Sequence, residues 1–156
     1  QGEQGARPRG AALRGGGELM ADIIVEPVGE AEQTVLDGWL DDAARWNIDV
    51  TDVATIDAAY ESYVDRVIAQ DETEREDPTP FVAMIGFALG QWLTLETVLE
   101  WRVITDAEGR DIGLSLPDES SIMFPSDFVA DAWNEMQRDW LADWARDLRT
   151  QLEVLR

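Results

Sequence analysis

The most distinctive chemical pattern in this sequence is a series of carboxylates that recurs at every fourth position near the end of the chain. It runs beside an apolar stripe that contains Trp133, Trp140 and Trp144. Residues four apart share one face of a helix, so the acids are predicted to flank the tryptophans. Aromatic anchors with a charged rim are typical of protein interfaces, and we predict a binding surface for a basic protein partner. The predicted partner-binding residues are Asp127, Asp131, Glu135, Asp139 and Asp143.

Two other interpretations of the same pattern stay open. In the first, the tryptophans belong to the core and the acids form only the solvated face of an amphipathic helix. In the second, the tryptophan stripe is buried between two copies of the chain, and the protein is a purely structural homodimeric subunit.

The residue types that are missing restrict the chemistry further. The chain has 156 residues with no lysine, no histidine and no cysteine, and its 12 basic residues are all arginine. It therefore offers no imidazole base, no thiolate, no Schiff-base lysine and no ordinary zinc shell. We expect a protein that is not an enzyme, with no catalytic residue, no cofactor and no metal ligand.

Weaker carboxylate patterns leave an enzymatic alternative. Asp41 with Asp42, and the three glutamates within residues 72–76, are the densest acidic groups and suggest a magnesium-dependent hydrolase. Adjacent residues on a helix point in different directions, and the second group lies in a predicted loop. The acids around Gly109 resemble the start of a calcium loop, but the sequence has no glutamate at the twelfth position of that loop.

The charge balance bears on partners and on location. With 33 acids against 12 arginines the net charge is −21, which repels nucleic acids and anionic membranes. A saline cytoplasm or a GC-rich genome would explain the same composition without naming a partner. The sequence has no cysteine, no membrane-spanning apolar run and no signal-peptide core, and we expect a cytoplasmic protein.

Composition divides the chain into a tail and one domain. Residues 1–21 are rich in glycine and arginine, and we expect a disordered tail or an extension added upstream of the protein. Residues 22–156 are predicted to form a single α+β domain, because 45% hydrophobic residues and 7 tryptophans are enough for a core.

Apolar residues at steps of three and four predict three N-terminal helices. They cover residues 31–46, 55–68 and 79–92, and the third is apolar on nearly every side, so it should be the central one. Gly86 and Gly90 lie four apart on this third helix, where each costs about 1 kcal/mol relative to alanine. We expect a neighbouring element to approach the helix closely at both glycines.

After the third helix the apolar period changes to two. Strands are predicted over residues 98–105, 112–116 and 122–124, with Gly109 at the turn position that needs a positive φ. The short connections favour a three-stranded antiparallel meander. One long C-terminal helix is predicted over residues 127–155, with the acids and tryptophans on it.

Three segments of this region resemble a known family. They read IGFALGQWL, EWRVITDAEGRDIGL and IMFP, the last followed by a predicted helix, within residues 85–129. The chain resembles a family of bacterial domains of unknown function, number 3806. The resemblance implies an α+β domain and transfers no catalytic residue. Where the family pattern has basic residues after Val129, this chain has Ala130 and Asp131. The matching positions are Leu89, Gly90, Trp101, Thr105, Asp106, Gly109, Phe124 and Pro125.

The leading functional prediction is a non-catalytic interaction or regulatory module that binds a basic protein through its carboxylates. No nucleic acid and no membrane is expected as a partner.

Overall fold

Helices precede and follow an antiparallel sheet in the computed structural model, which describes residues 14–15 and 22–155. The fold class is α+β, as the sequence predicts. Short 3-10 turns occupy Glu72–Glu74 and Glu153–Leu155. The strands and helices are β1 (Arg14–Gly15), β2 (Ile24–Pro27), α1 (Glu30–Arg45), α2 (Val53–Ile68), α3 (Thr79–Glu96), β3 (Glu100–Asp106), β4 (Gly109–Ser115), β5 (Ser121–Met123), α4 (Pro125–Asn134) and α5 (Leu141–Leu152).

The sheet has the order β1-β5-β4-β3-β2, and every neighbouring pair is antiparallel. Its centre is the predicted meander, in which Asp106 pairs with Gly109 across the β3–β4 turn. Gly109 has a φ of 126°, a conformation that side chains with a Cβ rarely adopt. The predicted count of three strands is wrong, because β2 adds to the edge of β3 and the two-residue β1 adds to the edge of β5.

Helix α3 is central, as its nearly continuous apolar sequence predicts. It contacts α1, α2, α4 and α5, and its buried side chains include Phe81, Ile85 and Trp92. The main hydrophobic core joins these helices to one face of the sheet, where Leu114 and Met123 lie. A smaller cluster on the sheet consists of Ile104, Ile122 and Phe124, with Ile23 and Val25 packed against it.

Both glycines of α3 lie where another element comes close, which confirms that prediction. A Cβ built at Gly86 would lie 2.7 Å from the Cα of Ser126 at the start of α4. A Cβ at Gly90 would overlap the indole of Trp101 on β3 and lie 2.9 Å from its Cζ2 atom. The two glycines therefore let α3 pack directly on α4 and on the sheet.

The predicted single C-terminal helix is wrong: α4 and α5 are separate helices joined by a loop over residues 135–140. Helix α4 ends in a Schellman motif, in which Met136 N–H donates to Trp133 O and Gln137 N–H donates to Ala132 O, both at 2.9 Å. Met136 takes a positive φ of 49°, at the position where glycine is usual. The apolar spacing of three and four continues through the break, so the pattern could not reveal it.

The expectation of disorder for residues 1–21 falls outside the described residues, except at Arg14 and Gly15, which pair with Ile122 and Ser121 of β5. Among the described helices, none combines the length and apolar character that crossing a bilayer requires.

Candidate interaction surface

The five acids predicted to bind a partner do not share one helix. Trp133 and Trp140, the tryptophans beside them, are 9% and 8% exposed and belong to the core, whereas Trp144 is half-buried. The break between α4 and α5 therefore divides the predicted surface. Asp127 and Asp131 lie on α4, Glu135 is its C-cap, Asp139 lies in the loop and Asp143 lies in the first turn of α5.

The structure brings two of these acids together with three acids of α2. Arg138 of the loop binds two of the acids of α2: its Nε donates to Glu61 Oε1 and its Nη2 donates to Asp65 Oδ1, each at 2.6 Å. The backbone N–H of Asp139 donates to Glu61 Oε2 at 2.7 Å. We call this group the acidic cluster; its members are Asp57, Glu61, Asp65, Asp139 and Asp143.

Contacts with α2 hold the loop in its conformation. The Tyr60 hydroxyl donates to the backbone O of Gln137 at 3.0 Å, and the Tyr60 ring meets Trp140 edge-on with centroids 5.6 Å apart. Asp139 takes a positive φ of 57° between these contacts. Hydrogen bonds, ion pairs and an aromatic pair from α2 thus stabilise a backbone conformation that is unfavourable for Asp139 alone.

Asp57 is the acid of the cluster with the least favourable surroundings. Its Oδ2 accepts a long hydrogen bond of 3.4 Å from Ala142 N–H in the first turn of α5. Its Oδ1 is buried and has no hydrogen-bond partner within the described part of the chain. Burial raises the pKa of Asp57, and the charges of Glu61, Asp139 and Asp143 raise it further, against the lowering effect of the Ala142 bond. The cluster therefore holds more negative charge than its surroundings neutralise.

Six arginines of the described residues, Arg138 among them, pair with the protein's own acids. Residues 22–155 contain 31 acids and 8 arginines. These ion pairs involve residues of both helices and strands. Because most of the arginines are already paired, little positive charge is left to offset the remaining carboxylates. The paired arginines are Arg45, Arg66, Arg102, Arg110, Arg138 and Arg149.

In each of the other acidic groups singled out from the sequence, at least one acid has a local partner. Asp42 pairs with Arg45 on α1, and Glu76 accepts hydrogen bonds from Tyr63 and Arg66. Asp106 Oδ1 accepts from the backbone N–H of residue 108 in the β3–β4 turn. Within the described residues, no group of three or more acids is arranged to hold a metal ion.

Sequence reasoning missed the contribution of α2 to the acidic cluster. The signal was present, because Asp57, Glu61 and Asp65 repeat at every fourth position of α2, along one edge of its apolar stripe. What the sequence does not show is that a loop after α4 brings Arg138 and Asp139 onto that edge.

Comparison with known proteins supports the family resemblance. No curated protein and no solved structure matches the chain. The family model described as a domain of unknown function (DUF3806) matches residues 61–143, more than half of the chain. The match begins at Glu61 and ends at Asp143, so it contains four of the five acids of the acidic cluster. The chain belongs to the DUF3806 family.

Proposed function

We propose that this protein is a non-catalytic interaction or regulatory module, and that the acidic cluster binds arginine or lysine side chains of a basic protein partner. The observation that carries the proposal is the position of Arg138. Two carboxylates, Glu61 and Asp65, bond to this guanidinium directly, and the charges of Glu61, Asp139 and Asp143 all act on Asp57 nearby. The chain thus supplies one internal example of the ligand that the surface would bind.

The electrostatics of the cluster support a partner of this charge. Asp57, Asp139 and Asp143 add negative charge that Arg138 does not neutralise through a described ion pair. Burial first, and then repulsion from the neighbouring acids, raises the pKa of Asp57, and a guanidinium or ammonium group placed beside these acids would relieve the repulsion. Complementary charge would also speed the encounter with a basic protein.

The ion pair between Arg138 and Asp65 is open to exchange with a partner's side chain. Arg138 is 37% exposed, and Asp65 is 65% exposed, so the ion pair between them lies in a well-solvated place. Exposed ion pairs contribute about 0 to 1 kcal/mol, so Asp65 can exchange Arg138 for a partner's arginine at little cost while Glu61, which is 20% exposed, keeps Arg138 in place.

The test uses a synthetic peptide of alternating arginine and glycine, and the same peptide with neutral citrulline in place of arginine. Calorimetric titration in low-salt buffer should show binding of the arginine peptide only, and added salt should weaken it. The double variant Glu61→Gln, Asp65→Asn should weaken binding about threefold or more, and Arg138→Gln should tighten it because two carboxylates lose their internal partner.

Arg149→Gln is the matched control, because it makes the same charge change and frees Glu96, the acid paired with Arg149 at 3.0 Å. It should tighten binding less than Arg138→Gln does. Equal effects of the two variants, or equal binding of the two peptides, would contradict the proposal. A further double variant, Asp131→Arg with Glu135→Arg, tests how far the surface extends. Loss of binding would show that it continues along α4, and unchanged binding would show that it ends at the acidic cluster.

A further inference from the structure

A small pocket with aromatic walls lies between the end of α1 and the beginning of α3. Its volume is about 250 Å³, below the usual range of pockets for cofactors or metabolites and better matched to one side chain. Trp46 and Phe81 meet at one wall, with ring centroids 4.9 Å apart and planes tilted by 57°. Trp39 and Trp46 are only half-buried, so parts of both indoles face solvent. The pocket is lined by Trp39, Asp42, Arg45, Trp46, Glu76, Pro80, Phe81 and Met84.

The rim of the pocket carries charge as well as aromatic surface. Asp42 and Glu76 bring carboxylates to it, and Arg45 pairs with Asp42. The side chains of Arg45 and Asp42 are 73% and 48% exposed. An ion pair as exposed as this one contributes little stability, so Asp42 can exchange Arg45 for another cation.

The protein already binds a guanidinium with two of the groups that line the pocket. Arg66 lies 5.5 Å from the centroid of the Trp46 ring and 5.1 Å from that of Tyr63, and it pairs with Glu76 at 3.3 Å. An aromatic face beside a carboxylate is a favourable setting for a guanidinium, through cation–π attraction and charge pairing together. Trp46 and Glu76 provide both components.

We propose that this pocket receives an arginine side chain of the same basic partner that the acidic cluster binds; the inference therefore rests on the proposed function. The planar guanidinium would stack on the exposed indole surface of Trp39 or Trp46 and pair with Asp42 in place of Arg45. A partner's apolar side chain would leave the rim carboxylates without a new partner, whereas arginine uses the rim and the walls together.

The pocket and the acidic cluster are connected through α2. Asp65 of the cluster precedes Arg66, the residue that contacts Trp46 and Glu76. The acids of α2 from Asp57 to Asp65 span about 12 Å along the helix at 1.5 Å per residue. A short basic segment could reach from the cluster to the pocket, so one partner can occupy both.

The test repeats the titration with the arginine peptide on variants of the pocket rim. Asp42→Asn should weaken binding about threefold, and Arg45→Gln should tighten it by a similar factor. Asp41→Asn is the matched control: it makes the same charge change one residue away, at a side chain that does not line the pocket. NMR should show contacts between the peptide's arginine methylene protons and the indole protons of Trp39 or Trp46.

The outcomes separate this inference from the proposed function. One set of results would overturn the pocket as a binding site and leave the acidic cluster as the site. In it, the α2 variants weaken binding, Asp42→Asn and Asp41→Asn have equal effects, and NMR shows no contacts with the indoles. Failure of the arginine peptide to bind at low salt overturns both. Equal binding of the citrulline peptide to the pocket, with the same indole contacts, shows that the site does not require a cation and also overturns the inference.

Discussion

The indole of Trp101 on β3 lies directly over Gly90 of α3, at a distance that leaves no room for a side chain on the helix. Trp101 cannot easily move, since its Nε1 donates to Gln91 Oε1 at 3.0 Å and its ring contacts Phe87. We predict that Gly90→Ala destabilises the protein by about 1–3 kcal/mol, because overpacking outweighs the better helix propensity of alanine. Urea unfolding, followed by tryptophan fluorescence, measures the change.

The control for this variant is Gly38→Ala on α1. A Cβ at Gly38 would meet nothing within 4 Å, so only helix propensity changes. This variant should gain about 1 kcal/mol. Stabilisation by both substitutions would show that Trp101 accommodates the methyl group, and would contradict the close packing of α3 on the sheet.

Neutralising Asp57 should stabilise the protein at neutral pH. Burial and neighbouring acids raise the pKa of Asp57 above its ordinary value of 3.8, so the folded state binds the proton more tightly than the unfolded state. The contribution of the protonated Asp57 carboxyl to folding stability is therefore complete below pH 3.8 and is lost as the pH rises through the pKa of the folded state. Asp57→Asn removes the charge and keeps an oxygen for Ala142 N–H, with an expected gain on the order of 0.5 kcal/mol.

The stability of Asp57→Asn should be measured by urea unfolding across the acid range, beside Asp65→Asn. Asp65 pairs with Arg138 at 2.6 Å, so its neutralisation should cost about 0 to 1 kcal/mol at neutral pH. An advantage for Asp57→Asn that shrinks toward low pH supports the assignment. A loss of stability at neutral pH would mean that the ionised carboxylate of Asp57 is favourable as a helix cap.

Stability should fall in the alkaline range as Tyr63 ionises. Tyr63 is 1% exposed, and burial together with the hydrogen bond to Glu76 raises its pKa to about 12 from the ordinary 10.0. Because the folded pKa lies above the unfolded value, the contribution of the neutral phenol is complete below pH 10 and is lost toward pH 12.

Ultraviolet absorbance of phenolate, recorded beside circular dichroism, measures this titration. The chain has 2 tyrosines, and burial raises the pKa of Tyr60 as well, so little phenolate should form near pH 10 while the protein is folded. Tyr63→Phe should flatten the fall in stability over this range. Phenolate absorbance that rises near pH 10 for both tyrosines in the folded protein would contradict the buried arrangement.

Glycine at position 139 should stabilise the loop between α4 and α5. Asp139 is exposed and has a φ of 57°, which costs a residue with a Cβ about 1 kcal/mol. Asp139→Gly removes that cost and one negative charge beside Asp57, so the melting temperature should rise. Asp147→Gly is the same substitution at an exposed position inside α5. It should lower the melting temperature, because glycine inside a helix costs about 1 kcal/mol of stability. Equal effects of the two variants would argue against the left-handed conformation of Asp139.

Features with local causes could be predicted from the sequence. The β3–β4 turn follows from the position of Gly109 between two alternating segments, and its positive φ was expected. The spacing of Gly86 and Gly90 on an apolar helix predicted close neighbours, although it could not say that these would be Ser126 and Trp101. The central position of α3 could also be predicted, because a helix that is apolar on nearly every side must be packed against other elements on every side.

Features that depend on distant contacts could not be predicted. Strand β2 has four residues at a sheet edge, and its partner β3 begins more than 70 residues later. The loop after α4 keeps the apolar spacing of a helix, and its conformation depends on Tyr60 and Glu61, which lie 77 and 78 residues before Gln137 and Asp139. The acidic cluster depends on the conformation of that loop, so the sequence does not show that its acids lie close together.

The interruption at residues 135–140 also changes the electrostatics of the acidic cluster. A helix carries about half a positive elementary charge at its amino end, from backbone N–H groups that lack partners in the preceding turn. An uninterrupted helix would carry that partial charge only at its beginning, near Pro125. Because α5 starts anew at Leu141, a second partial positive charge lies beside Asp57, Asp139 and Asp143 and moderates their mutual repulsion while they remain accessible to a partner.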